Sequence, residues 1–323
     1  MILVEIVISA VTYRVSTEYT ALTNSWDGYI TKFSAPQFQI KKSYGGYIAL
    51  KVGGFTLSPD FFTDNSIWEP SREMDVSVYY TASTEAAKTL IFAATAHRKE
   101  NNREGVKYNF YTESYTDTLA KTTALSGTII ANFTTWCSTL SLTLDSTYAR
   151  ASSPALSYTT TKEYLLINAM SEVAAFFTHC FFIVGSTLYL VDMLRDNGSR
   201  TLTEFDIFPS SYRTPPPIAS AATENFVQYS AYPYGKTITG LTEWHTTQAN
   251  AETALGNILT VSNASIHASV KTPLDGTLPT LREQITLTDA SLGQSSTVVF
   301  NPSTIKYDFI KEEITLSGDG TLT

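Results

Sequence analysis

Thr161-Lys-Glu-Tyr-Leu-Leu-Ile-Asn-Ala-Met-Ser-Glu-Val-Ala-Ala-Phe-Phe-Thr-His-Cys-Phe-Phe-Ile-Val-Gly-Ser-Thr-Leu-Tyr-Leu-Val-Asp-Met193 changes its hydrophobic period midway. Leu166, Ala169, Met170, Val173 and Phe177 recur at three- and four-residue spacing, the stripe of an amphipathic helix over about 162–179. From Cys180 the residues turn aromatic and β-branched, in two short runs at 180–184 and 187–191. Gly185-Ser186 between them predicts a tight hairpin turn. A helix followed by its own hairpin is a small α+β unit with no catalytic hardware. It points to architecture.

The flanking sequence is mostly strand. Residues 1–80 read as entirely β, with runs at 2–15, 38–42 and 47–52, and with turn chemistry at 24–28, 43–46 and 53–54. Strand signals this frequent predict a small barrel or sandwich. Further strands are expected at 76–81, 89–94, 108–111, 202–208, 226–232, 266–270, 284–287, 296–300, 305–310 and 313–317, with a short helical turn at 83–88. Two more helices are predicted. One spans 126–140, with Ile129, Ile130, Phe133, Trp136, Cys137 and Leu140 on one face; the other spans 247–261, with Ala251, Ala254, Leu255, Ile258 and Leu259 as its stripe. The run 97–105 is the one strongly charged stretch and reads as a solvated loop. Arg195-Asp196-Asn197-Gly198 is a turn, and Pro215-Pro216-Pro217 is a stiff crossover. No tandem repeat is evident.

Composition agrees. About a quarter of the 323 residues are Ser or Thr, and Tyr and Phe number 19 and 17, a mixture suited to pleated, half-buried surfaces. Only 16% of residues are charged and the net charge is −8, with no basic cluster beyond Arg98-Lys99 and Lys41-Lys42. An adhesive nucleic-acid surface is therefore not expected, although a negative wall lets DNA pass without sticking. The first eleven residues are apolar but carry Glu5 and lack a basic start. They read as a first strand, and no membrane insertion is expected.

Catalytic signatures are missing: no GxSxG, HExxH, Walker loop or GxGxxG occurs. His97, His179, His245 and His267 lie in four different segments, so neither a metal site nor a cofactor is expected. Abundant carboxylates leave a hydrolase site without specific support. Cys137 and Cys180 read as two buried thiols, with one disulfide between them as the alternative. Gly318-Asp319-Gly320 reads as a turn rather than a calcium loop. The Asn-x-Ser/Thr triplets at Asn132, Asn197 and Asn263 are chance products of a hydroxyl-rich chain. Trp26, Tyr29, Tyr44, Tyr47, Trp68, Tyr79 and Tyr80 are candidates for stacking on sugars, with packing the favoured role.

Taken in order, the helix at 168–177, the aromatic run at 180–184, Gly185-Ser186 leading into Leu188-Tyr189-Leu190, the helix at 249–259 and the late strands ending at Gly318-Asp319-Gly320 resemble the bacteriophage tail hub (baseplate hub) family. That family includes the late control and contractile-injection hub proteins. The resemblance covers roughly 125–323 and, more loosely, the β region before it. It implies a mainly β, α+β chain with two tube-like β-barrel domains and inserted α+β segments, assembling as a ring-shaped trimer. The expected division is a first barrel domain at 1–110 (completed by part of 205–245), a helix–hairpin domain at 111–204, and a crossover, helix and C-terminal β domain at 205–323. The implied role is structural rather than enzymatic: a virion hub that joins a sixfold tail tube to a threefold tip and lines the DNA channel. Implied partners are two further copies, the tail tube or distal tail protein, the tip, spike or fibre proteins, and the tape-measure protein, with DNA only in transit. The location would be the virion tail tip or baseplate, after synthesis in the host cytoplasm. The alternative is a receptor- or glycan-binding tail protein.

Overall fold

Alternation of apolar and polar residues along long strands organises this molecule. In a computed structural model, residues 2–17, 20–21, 25–42, 44–81, 88–111, 119–120, 124–150, 156–159, 164–194, 199–242, 244, 247–274, 280–289, 297–308 and 311–322 are described. The chain is mainly β with four helices among those residues. Sixteen strands join in one open sheet, whose long path runs from Phe208–Arg213 at one end to Val11–Ser16 at the other.

The N-terminal half of the sheet contains Ile2–Ile8, Val11–Ser16, Ile30–Lys42, Gly45–Leu57, Glu73–Tyr80, Thr89–Asn102 and Gly105–Tyr111. The C-terminal half contains Phe208–Arg213, Ile266–Pro273, Thr297–Asp308 and Glu313–Leu322, with Gln284–Thr288 and Ser199–Thr203 beside them. The halves meet where Gln37, Phe38 and Gln39 pair with Lys306, Ile305 and Thr304. Successive side chains point to opposite faces. One face is therefore apolar, as in the row Val270, Leu316, Ile305 and Phe38, whose members are all buried. Both halves share this core.

The charged run at 97–105 differs from its expected form. It is the tip of a hairpin between Thr89–Asn102 and Gly105–Tyr111, turning only at Arg103-Glu104. Its alternation was hidden because both faces of a projecting tip meet water. Gly318-Asp319-Gly320 likewise lies inside the strand Glu313–Leu322 rather than in a turn. A Cβ on Gly318 or Gly320 would stand 2.1 Å from the carbonyl oxygen of Asn301 or Val299, so these glycines permit close strand approach.

A second core lies beside the sheet. It gathers α2 (Ile129–Thr139), α3 (Leu166–Phe176), α4 (Gln248–Ser262) and the hairpin His179–Val184/Thr187–Asp192. Helix α1 (Pro59–Asp64) belongs to the first core. The segment 161–193 changes from helix to hairpin as its period predicts, but the helix is shorter than the expected 162–179: it spans Leu166–Phe176, Tyr164–Leu165 is a short strand, His179 already belongs to the hairpin, and 161–163 lie outside the described residues. Gly185 takes φ +59° in the turn, and Phe177, Phe182, Leu188 and Leu190 are buried. The hairpin pairs with Gly46 and Tyr47 on one side and with Thr143–Tyr148 on the other, which ties the second core to the sheet. Helix α2 starts where Thr128 Oγ1 accepts the Ala131 N–H at 3.2 Å. Thr128→Ala is expected to cost about 1 kcal/mol, read as a lower urea midpoint at unchanged slope.

Residues 214–217 leave the large sheet for the small sheet of Ile218–Ala222, Val227–Tyr229 and Lys236–Ile238, against which α4 packs. The proline passage thus carries the chain toward the second core. Return to the large sheet comes after α4, at Ile266. The expected turns at 83–88 and 195–198 fall almost wholly outside the described residues, with only Lys88 inside them.

Candidate functional site

The other face of the large sheet is polar. Across five strands, Ser211, Ser269, Ser317, Thr304 and Gln39 stand in one cross-strand row, with Ser317 Oγ 3.0 Å from Ser269 Oγ. In the N-terminal half the same face carries Glu73, His97, Asn109, Gly54 and Ser34 in register. Gly54 permits close approach of the neighbouring strand there, because a Cβ would fall 2.3 Å from the Tyr108 carbonyl oxygen. An open cleft on this face has a volume of about 460 Å³ and is lined by Lys32, Thr56, Glu100, Glu104, Lys107 and Asn109 among others. Lys32 and Glu104 form an ion pair at its rim. Two ammonium groups balance two carboxylates, so the cleft offers no net charge to a phosphate. A hydroxyl-and-amide wall with balanced charge offers no cluster of cations to hold a polyanion.

A buried polar knot holds the helix–hairpin unit together. The neutral His179 imidazole donates from Nδ1 to the Phe177 carbonyl at 2.8 Å and accepts at Nε2 from the Arg150 amide at 3.1 Å. Arg150 also donates to the Phe177 carbonyl and Thr178 Oγ1, and lies 3.6 Å from Asp192 Oδ2. Burial pushes the His179 imidazolium down to about 4. The unfolded chain, with an ordinary value near ~6.5, takes up a proton that the folded chain refuses between those two values. His179 therefore contributes stability above pH ~6.5 that is lost as pH falls toward 4, by about 1.4 kcal/mol per pH unit. Urea midpoints at pH 7 and pH 5 should differ more for the wild type than for His179→Gln.

The remaining residues singled out in the sequence do not converge. His97 lies 3.6 Å from Glu73, and His267 Nδ1 lies 2.6 Å from Asp319 Oδ1 on a neighbouring strand. His245 and Asn197 fall outside the described residues. Among the described residues, no three His, Cys, Asp or Glu side chains gather as metal ligands. Cys137 and Cys180 are buried in different cores with no disulfide between them, and burial lifts the Cys137 thiol to about 11. Asn132 bonds back to the carbonyls of Ser126 and Thr128, while Asn263 clamps both the N–H and the carbonyl of Ile218.

The seven aromatic candidates divide clearly. Trp26 and Tyr80 are buried, Tyr47 stacks on Phe181, and Tyr29, Tyr44 and Tyr79 are partly buried. Trp68 is 98% exposed. Sequence alone does not separate it from the others, since its exposure depends on the unrecognised helix α1. Ser58-Pro59-Asp60, with Pro in the first turn and an acidic residue after it, is the helix-start signal that marks α1.

This two-faced sheet with an appended helical core is similar in fold to several solved tail proteins. Its solved relatives by structure include the 43 kDa tail protein of prophage MuSo2 from Shewanella oneidensis, with a TM-score of 0.61, 8% identity, and coverage of 98% of this chain and 97% of that one. A tail protein from Neisseria meningitidis MC58 gives a TM-score of 0.59 at 9% identity, over 98% and 95% of the two chains. Prophage tail protein gp18 from Listeria monocytogenes EGD-e gives 0.51 at 11% identity, over 90% of each. Neither a protein-family model nor a curated protein matches the sequence.

Proposed function

We propose that this chain is a structural, non-enzymatic protein of a bacteriophage or prophage tail, located in the virion at the tail tip or baseplate. The observation that carries the reading is the shared fold over nearly the full length of three tail proteins. More finely, the chain acts as a tail hub. Three copies form a ring, each contributing two tube-like β-barrel domains built around 1–110 and 205–323, with 111–204 as the helix–hairpin insertion. The ring joins the sixfold tail tube to the threefold tip, contacts the tape-measure protein, and gives DNA a path through its lumen.

Physical features support this reading. Val11–Ser16, bridged among the described residues only at its C-terminal part by Asp27, and Phe208–Arg213 end the sheet, and a ring of copies would cover such edges, which otherwise template aggregation. The polar face of Ser211, Ser269, Ser317, Thr304 and Gln39 suits a channel wall. Deletion of the gene from its phage or prophage tests the role. The expected outcome is particles without functional tails, restored by the gene in trans. Normal, infectious tails without this protein would overturn it.

A further inference from the structure

The loop after helix α1 presents a single indole to solvent on a rigid mount. Helix α1 ends with the Ile67 N–H on the Phe62 carbonyl (2.7 Å) and the Ser66 N–H on the Thr63 carbonyl (3.1 Å). These paired bonds form a Schellman turn, with Ser66 in the left-handed region at φ +55°. Ile67 packs against the first core beside Phe62. Beyond the indole, Arg98 Nη1 donates to the Pro70 carbonyl (2.8 Å), Tyr108 Oη to the Ser71 carbonyl (3.1 Å), and the Arg98 amide to the Arg72 carbonyl (2.8 Å). Trp68 stands between these two fixed ends, 98% exposed, whereas Trp26, Trp136 and Trp244 are buried.

The stretch that carries Trp68 is acidic: between positions 60 and 75, Asp60, Asp64, Glu69, Glu73 and Asp75 are exposed, against one exposed base, Arg72, and the Arg98 guanidinium that reaches in to the Pro70 carbonyl. A large apolar side chain on a backbone anchored at both ends, in a polar stretch, suits the role of an interface hot spot. We propose that Trp68 is the anchor by which this chain docks a different tail protein, on a face where an apolar socket is bordered by Lys and Arg. A second copy is not the proposed occupant. The contacts between copies proposed above run along the ends of the sheet, and a homotypic contact here would set these carboxylates against a chain of net charge −8.

The inference rests on the tail-protein reading and is tested in assembled particles. A photo-crosslinking residue (p-benzoylphenylalanine) replaces Trp68, and adducts from purified tails are mapped by mass spectrometry. The expected adduct joins residue 68 to another tail protein, at a peptide containing Lys or Arg beside apolar residues. An adduct to a second copy of this chain, or none in particles that contain it, overturns the inference and leaves the tail reading standing. Absence of the chain from purified tails overturns the tail reading itself. In parallel, Trp68→Ala should leave thermal unfolding of the purified protein unchanged while lowering its incorporation into particles at least tenfold. Unchanged incorporation would contradict the proposal.

Discussion

Phe177→Asp is expected to leave the chain without a folded helix–hairpin unit. Phe177 caps α3 and is fully buried, its ring edge-on to Phe176 at 5.3 Å. Removing a buried Phe side chain costs about 3–5 kcal/mol through lost burial and the cavity left behind. An unpaired carboxylate in its place adds several kcal/mol more. Together these reach the whole stability of a typical domain, roughly 5–15 kcal/mol. The backbone multiplies the damage, because the Phe177 carbonyl accepts from Arg150, Thr178 and His179. Near-UV circular dichroism should lose its aromatic signal, while Phe177→Leu should keep it at a reduced melting temperature. A native-like spectrum for Phe177→Asp would show that this junction is not essential.

Gly45→Val should separate the second core from the sheet. Gly45 has φ +147°, a conformation that β-branched residues do not adopt without strain. Its Cβ would stand 2.4 Å from the His179 carbonyl oxygen and 2.9 Å from Ala175 Cα, both backbone atoms that cannot swing aside. The next residue, Gly46, pairs with Cys180 where sheet and hairpin join. Strain at the special φ and the clash together are expected to cost more than about 3 kcal/mol. Limited proteolysis should then cut between the cores, while Gly45→Ala falls between the two. Wild-type resistance in Gly45→Val would contradict the described junction.

Local elements were largely legible in the sequence; their union was not. The three longer helices followed from a period of 3.6, and the hairpin followed from Gly185. Helix α1 escaped notice because six residues with Phe61-Phe62 side by side show no period. Ile30–Lys42 and Thr297–Asp308 are longer than their local patterns predict, because bulges near Ser34–Gln37 and Pro302–Thr304 interrupt the alternation. The junction of Phe38 with Ile305 joins residues far apart in the chain, and no local pattern specifies that register. The polar face was visible only as an abundance of Ser and Thr. It took the register to line Ser211, Ser269 and Ser317 into one row. Trp68 is one of seven aromatic candidates in the sequence, yet its exposure arises from the Schellman turn and the Arg98 contacts, which are tertiary.

Mass photometry of the purified full-length protein, followed by class averages of the same sample in the electron microscope, bears most directly on the hub reading. The expected species is a ring at three times the 35.5 kDa chain mass, with threefold symmetry and an open centre. A particle that stays at 35.5 kDa both in solution and in dissociated tail tips would contradict it.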